Sequence, residues 1–458
     1  MKTDTIAAIA TGMTNSGIGI VRISGEDAFS AADRIFVPYK GNKKVSEMDS
    51  HTIHYGTIRD EDTLVDEVLL LVMKAPHSYT TEDTVEIDCH GGTLVMQKIL
   101  KAVIKNGARP AEPGEFTKRA FLNGRIDLSQ AESVADVISA KNEFALKSSI
   151  NQLRGSVSEK IKKMRAVILQ EIAFIESALD DPEHIDINGY PQKLQPIVEE
   201  LCEDINKLLK TADDGRILKE GIRTVIVGKP NAGKSSLLNI LVGQERAIVT
   251  EIAGTTRDTL EEQIQLGGIS LNVMDTAGIR DTADPIEKIG VQRSIASMEQ
   301  ADLIIYVADS STLLDENDNQ IIQAVKNKKA IVLLNKSDLK TVTSKNELEQ
   351  RTGKDVIEIS AKEHTGIDQL EKEITNMFFS GEISFNDEVY ITNIRQQHSL
   401  EEAKKSLEMV CESIQNQMPE DFYSIDLMDA YEQLGFIIGE SVEDDLMDEI
   451  FSKFCMGK

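Results

Sequence analysis

The 458-residue chain has no tryptophan, only four cysteines and a shortage of cations. Cys89, Cys202, Cys411 and Cys455 are widely scattered, and no Cys-x-x-Cys pair occurs. That excludes a zinc ribbon and offers no disulfide framework, so reduced thiols are the simplest account. There is no long apolar run and no secretory h-region, because the opening Met1-Lys2-Thr3-Asp4-Thr5 leads straight into a short apolar strand pattern. A cytoplasmic protein with no membrane span is expected. The chain carries 50 Lys and Arg against 77 Asp and Glu, a net charge of −27. A surface this acidic repels a polyphosphate backbone unless basic groups gather locally or a partner supplies them. Between Lys405 and Lys453 there is no Lys or Arg at all, while Glu443-Asp444-Asp445 and Asp448-Glu449 add acid. Such runs read first as solvated helix faces.

What the chain does have is a phosphate-binding signature. Gly228-Lys229-Pro230-Asn231-Ala232-Gly233-Lys234-Ser235-Ser236 follows an apolar run at 224–227 and opens into another at 237–241. Strand, glycine-bearing loop and helix thus come in the order that turns backbone N–H groups toward a polyphosphate. Gly228 and Gly233 permit the turn, Lys234 brings charge to the β and γ phosphates, and the Ser235 hydroxyl can ligate Mg²⁺. Three further motifs each follow an apolar strand. Asp275-Thr276-Ala277-Gly278 can hold the Mg²⁺ hydration shell through its acid and meet the γ-phosphate through the glycine amide. Asn335-Lys336-Ser337-Asp338 offers a carboxylate to two guanine N–H groups, which adenine cannot provide, and a lysine stem to the base plane. Ser360-Ala361-Lys362 can bond guanine O6 through backbone amides. Any one could be an ordinary strand end or turn. The four in this order predict GTP.

Where many Ras-like GTPases carry a water-orienting glutamine, just after the Asp-x-x-Gly motif, this chain has Ile279. Either the domain is a poor catalyst alone or it recruits another group. Asn231 in the phosphate loop, with a first switch at Thr250-Glu251-Ile252-Ala253-Gly254-Thr255-Thr256, resembles the TrmE-Era-like potassium-activated GTPases. In that group an asparagine side chain, a threonine oxygen and loop carbonyls cage K⁺, which neutralises charge as an arginine finger does. The resemblance implies K⁺ at Asn231, Thr250, Ile252 and Thr255, and Mg²⁺ at Ser235 and Thr256. The plainer reading is that Asn231 only shapes the loop.

The length suits about three domains. From Thr5 to about Arg119, short strands at 19–23, 68–72 and 84–88 alternate with helices such as 94–105. From 121 to 213 helical periodicity takes over, notably at 129–138 and 161–179. Asp180-Asp181-Pro182 stops the second of these, and Pro191 and Pro196 mark a connector. Helical pattern returns at 394–417 and 424–450. The expected fold is multidomain α/β plus α. It has a mixed α+β domain (1–119), a discontinuous helical domain (120–217 and 381–458) and an inserted Ras-like P-loop GTPase domain (218–380).

Over its whole length the chain resembles the bacterial tRNA modification GTPases, the MnmE (TrmE) family. The specific marks are Gly17-Ile18-Gly19-Ile20-Val21-Arg22-Ile23-Ser24-Gly25, His90-Gly91-Gly92, the stretch from Pro113 to Gly124, Asp127-Leu128-Ser129-Gln130-Ala131-Glu132 and the terminal Cys455-Met456-Gly457-Lys458. The resemblance implies that 1–119 is a tetrahydrofolate-binding-like domain that dimerises and binds 5-formyltetrahydrofolate or a related one-carbon folate. Its folate contacts carry over to Arg22, Glu86, Arg125 and, from the partner subunit, Lys458. A carboxylate suits the pterin N–H edge and cations suit the folate carboxylates. Some relatives have lysine in place of Arg125, which keeps the charge but not the geometry. Without the family, Arg22 and Arg125 read as surface ion-pair residues.

For catalysis the resemblance points to Glu287, a second-switch glutamate that orients the attacking water. Glu261 and Glu262 lie nearby, and Pro285 departs from the usual residues of that loop. Cys455 is either a nucleophilic thiol, activated by Lys453 and Lys458, or an anchor of the last helix. The implied protein is a homodimeric, K⁺-stimulated, Mg²⁺-dependent GTP hydrolase. With an FAD/NADH-dependent MnmG (GidA) partner in a heterotetramer, it would install an aminomethyl or carboxymethylaminomethyl group at C5 of the wobble uridine (position 34) of certain tRNAs. Two rivals differ in class. A ribosome-assembly or regulatory GTPase switch would co-sediment with ribosomal subunits, and a stand-alone folate-dependent aminomethyltransferase would work without a flavoprotein.

Overall fold

Period-two alternation in the first third of the chain, and unbroken apolar runs in the second half, sort the strands into two sheets of different kind. The computed structural model describes residues 4–185, 187–244, 262–266, 268–274, 298–379, 389–440, 444–455 and 457–458. By its contacts the chain divides into two units. Met1–Ile138, Gln152–Val198 and Lys405–Lys458 form one, and Ser139–Asn151 with Glu199–Lys404 form the other. Among the described residues no helix is long and apolar enough to cross a membrane.

The first unit holds β1 (Ile6–Ile9), β2 (Ile18–Ser24), β3 (Phe36–Pro38), β4 (Thr52–Asp60), β5 (Thr63–Met73), β6 (Thr84–His90) and β7 (Arg109–Pro110). They form one sheet in the order β3-β4-β5-β6-β2-β1-β7, antiparallel except for the β1–β7 pair. Side chains alternate between its faces. One face sends Val21, Ile23, Val72, Val85 and Ile87 into a core closed by α1 (Ala28–Asp33) and α2 (Thr93–Lys105). The other carries Arg22 opposite Glu86 in register. Near β1 that face is covered by Phe116 of α3 (Glu115–Leu122), which packs with Ile6 and Ala8.

A buried ion network fixes α3. Arg119 donates to Glu115 Oε1 at 3.0 Å, to Glu82 at 3.1 Å and to Asp4 at 2.8 Å, and Arg109 donates to Glu115 Oε2 at 2.8 Å. Burial alone would raise the Glu115 carboxyl; the bonds from Arg109, the Glu112 N–H and Arg119 outweigh it and hold it below the usual range.

Helices α4 (Leu128–Ser139), α5 (Glu143–Leu153), α6 (Ser156–Asp180) and α7 (Tyr190–Glu220) follow. Val157, Ile161, Met164, Ile168, Ile172 and Ile175 are buried at spacings of three and four, which makes one apolar stripe on α6. α6 packs on the later helix Glu420–Ile438, where Arg165 Nε donates to Tyr431 O at 3.1 Å.

One expectation about helix ends is corrected. Pro191 and Pro196 mark no connector, for both lie inside α7. Pro191 falls in the first turn, where a missing N–H costs nothing, and buried Leu194, Val198, Leu201 and Ile205 carry the helix past Pro196. The helical pattern expected over 424–450 is divided between two helices. Gly439, with φ +89°, caps Glu420–Ile438 by bonding back to Gly435 O, and Asp444–Ser452 starts afresh.

The second unit holds β8 (Ile222–Val227), α8 (Lys234–Gln244), β9 (Glu262–Leu266), β10 (Ile269–Val273), β11 (Leu303–Asp309), α9 (Glu316–Val325), β12 (Ala330–Asn335), α10 (Lys345–Thr352), β13 (Val356–Glu358) and α11 (Ile367–Phe379). Strand order is β13-β12-β11-β8-β10-β9, parallel except for the β9–β10 hairpin. β11 and β12 are buried along their whole length, as strands covered on both faces must be. Ile304, Tyr306 and Val332 meet Ile321 and Val325 of α9 and Leu348 of α10 on one side. Ile305, Val307 and Leu333 meet Leu237 and Leu241 of α8 and Ile374 of α11 on the other. The central β8 lies between β10 and β11, with later strands added on both sides of it, so the loop after it opens at the switch point of the sheet.

Arg119→Ala would leave the carboxylate of Glu82 buried without its cation and Glu115 with Arg109 alone. It should destabilise the protein by about 3–5 kcal/mol, read from urea unfolding. Because Glu115 is held low, its contribution is full above the ordinary carboxylate range and is lost as pH falls through and below it.

Candidate functional site

The loop between β8 and α8 is held from within. Ala232 is fully buried, and its carbonyl accepts from Asn335 Nδ2 at 2.8 Å. Asn335 Oδ1 accepts from the Ala361 N–H at 3.0 Å. One buried carboxamide at the end of β12 thus joins the phosphate loop to the loop after β13. A Cβ on Gly233 would lie 2.0 Å from Asn335 Nδ2, so only glycine fits there. Lys234 donates to the carbonyls of Gly228 and Lys229 at 2.8 and 3.0 Å, and burial lowers its pKa. Its ammonium sits at the mouth of the loop, able to exchange those carbonyls for phosphate oxygens.

Ser235 is half-buried and Ser236 exposed in the first turn of α8. The Ser235 hydroxyl there is a hard oxygen donor of the kind Mg²⁺ takes. Asn231 is exposed and has φ +62°, a left-handed conformation that asparagine tolerates. Both readings of that residue, loop shaping and cation binding, are compatible with this geometry.

The residues expected to meet the base lie at the ends of β12 and β13. Asp338 Oδ1 accepts from Ser360 Oγ at 2.7 Å, and that bond holds the carboxyl below its usual range. Ser360, 1% exposed, also accepts from the Glu363 N–H at 3.2 Å. The Asp338 carboxylate is therefore ionised and aimed, able to take two N–H donors from one ring edge. Lys336 has φ +66°, and its ammonium donates to Asp309 Oδ2 at 2.6 Å. Burial would raise Asp309, but the bonds from Lys336 and Ser311 bring it below the usual range. The lysine stem is thereby pinned at its far end. Lys362 is exposed. Structure thus brings Gly228, Asn231, Ala232, Gly233, Lys234, Ser235, Ser236, Asn335, Lys336, Asp338, Ser360 and Ala361 to one edge of the sheet. Thr250, Glu251, Ile252, Ala253, Gly254, Thr255 and Thr256, together with Asp275, Thr276, Ala277, Gly278 and Glu287, lie outside the described residues.

A second cluster belongs to the first unit. Arg22 Nε donates to Glu86 Oε1 at 2.7 Å, with the two side chains only 14% and 16% exposed. Tyr79 is the centre of the group. The guanidinium carbons of Arg22 and Arg125 lie 5.6 and 4.8 Å from its ring centroid, and Lys458 Nζ lies 6.0 Å away. Burial, then Arg22, lowers the Lys458 pKa, with Glu86 opposing. A cavity of about 570 Å³ opens beside the cluster, lined by His51, Met73, His77, Tyr79, Asn123 and Arg125.

The Lys458 beside Tyr79 is that of the same chain. The tail is anchored by buried Phe451 and Phe454 and by the Gly114 N–H bonding to Cys455 O, and Arg22 Nη1 then donates to Gly457 O at 3.2 Å. The Cys455 thiol is exposed, so the side-chain part of the anchoring falls to the phenylalanines. Sequence reasoning missed Tyr79: nothing in the spacing of its Ser- and Thr-rich loop marks it.

Asp338→Asn should move preference from GTP toward XTP, because an amide can donate to the xanthine carbonyl where the carboxylate accepted an N–H. Competition binding with both nucleotides checks this, and about a tenfold or larger loss of GTP affinity is expected.

Residues 5–125 match the family model described as the GTP-binding protein TrmE N-terminus, and residues 128–455 match that of the MnmE helical domain. The tRNA modification GTPase MnmE of Lachnoclostridium phytofermentans is 60% identical over 458 residues, covering 100% of both chains. Proteins of the same description from Acetivibrio thermocellus and Clostridioides difficile are 50% and 48% identical, covering 100% and 99% of this chain and the same shares of their own. With full-length similarity at this level, the chain is a GTP-hydrolysing enzyme and belongs to the MnmE family of tRNA modification GTPases.

Proposed function

We propose that this enzyme couples K⁺-stimulated GTP hydrolysis to modification of tRNA at C5 of the wobble uridine, using a one-carbon unit from a formyl-tetrahydrofolate. The observation that carries the folate part is the convergence of Arg22, Arg125 and Lys458 on Tyr79, with Glu86 beside them. In a protein of net charge −27, three cations around one aromatic ring suit a flat ligand with carboxylates. Glu86 would take the pterin N–H edge, Tyr79 would stack on a ring, and Arg125 at the cavity wall would meet the acidic tail. Cys455, exposed on the tail that brings Lys458 here, is the candidate thiol.

In the nucleotide unit, Lys234 would bind the phosphates, Asp338 the guanine edge, and Ser235 with Thr256 the Mg²⁺. Glu287 would orient the attacking water. Asn231, with Thr250, Ile252 and Thr255, would hold K⁺. Bound there, K⁺ supplies positive charge against the phosphates in place of an arginine finger.

The working unit is a homodimer. On the open half of the first sheet, Tyr39, Ile53, Tyr55 and Leu69 are 72%, 61%, 47% and 43% exposed, a patch that a second copy would cover. An FAD-dependent partner of the MnmG class completes the reaction, in the cytoplasm. GTP turnover makes no bond to tRNA; it gates the one-carbon site as paired GTPase domains close and part. The domains are 1–119, 120–217 with 381–458, and 218–380.

Two experiments test this. Cells lacking the protein should lose C5-modified wobble uridine from bulk tRNA; a Tyr79→Ala copy should restore little of it while hydrolysing GTP within about twofold of wild type. An unchanged nucleoside profile in the deletion strain would remove the pathway. Replacing K⁺ by Na⁺ at equal ionic strength should cut turnover at least about tenfold, and equal rates would remove K⁺ from the account.

A further inference from the structure

Lys229, one residue into the phosphate loop, does not reach for solvent. Its side chain is 10% exposed, and Nζ donates to Leu313 O at 3.0 Å and to Asp318 Oδ2 at 3.1 Å. Asp315 Oδ2 lies 3.9 Å away. Asp318, in the first turn of α9, is fully buried, and its other oxygen accepts from the hydroxyl of Tyr306, itself fully buried in β11, at 2.9 Å. Asp318 is also the third helical residue of a capping box, where Oδ2 accepts from the Asp315 N–H at 3.1 Å. That duty needs neither a lysine nor complete burial. An ionised carboxylate taken wholly out of water is costly unless a cation and full hydrogen bonding meet it. Lys229 and Tyr306 meet it here.

The main chain of Lys229 faces the ligand side. Its carbonyl accepts from Lys234 Nζ at 3.0 Å and from the Ala232 N–H at 3.2 Å. One residue therefore bonds the phosphate-binding lysine with its backbone and a buried carboxylate with its side chain.

We propose that Lys229 and Asp318 are positioning residues of the GTP site, their buried ion pair clamping the entry of the phosphate loop to β11 and α9. The clamp complements Asn335, which holds the loop at Ala232. Because Asp318 neutralises Lys229, the pair acts by fixing geometry and not by adding field at the phosphates. Its effect falls on binding of GDP and GTP alike and leaves the chemical step nearly unchanged. The inference rests on the nucleotide site alone, and on neither the folate nor the K⁺ reading.

The test uses the full chain, mant-GDP and mant-GTP fluorescence, and turnover at saturating GTP. Wild-type binding is the control that keeps a failure of the clamp distinct from a failure of the site. Lys229→Met should raise both Kd values about tenfold with kcat within about twofold, and Lys229→Arg should recover most of the affinity. Asp318→Asn should act in the same direction, and the double variant should be no weaker than the worse single one. Affinities unchanged despite a lower melting temperature would make the pair merely structural and overturn the proposal. So would an arginine variant as weak as the methionine one, or a loss confined to kcat.

Discussion

The carboxamide of Asn335 is the contact on which the nucleotide site depends. It is buried and spends its donor on the Ala232 carbonyl and its acceptor on the Ala361 amide. Two loops that would otherwise move independently, the one after β8 and the one after β13, thereby share one fixed point. A buried amide is costly when unpaired, so either loop loosening exposes the same penalty. That is how a site built on loops can be as well defined as the strands beneath it.

Electrostatics sets the second constraint. An acidic chain that must handle anions has to gather its few cations, and it does so at two places. In one, Lys234 is withdrawn into loop carbonyls; in the other, Arg22, Arg125 and Lys458 surround an aromatic ring. Both lysines have lowered pKa values, chiefly through burial.

Much of this was legible in the sequence, for physical reasons. The phosphate loop, the Asn-Lys-x-Asp motif and the following Ser-Ala-Lys are local patterns at strand ends, and β8, β12 and β13 stand where their apolar runs put them. β12 is buried along its whole length, as its unbroken apolar run allows. Pro196 misled because buried side chains on the same helix outweigh one missing hydrogen bond, and Gly439 hid a break inside a periodic pattern. Tyr79, Lys229 and Asp318 were beyond reach for a different reason. Their roles come from partners far along the chain, and no local period encodes such a meeting.

The first unit is assembled from three stretches, and the bond from Arg22 to Gly457 joins residues 435 positions apart. The second unit needs nothing after Lys404. During synthesis the nucleotide unit can therefore close while the strand carrying Arg22 still waits for its last helices. Such long-range closure is slow, and it leaves the open sheet face to chaperones in the meantime. The order of emergence from the ribosome thus lets the nucleotide unit assemble before the cluster around Tyr79 is complete.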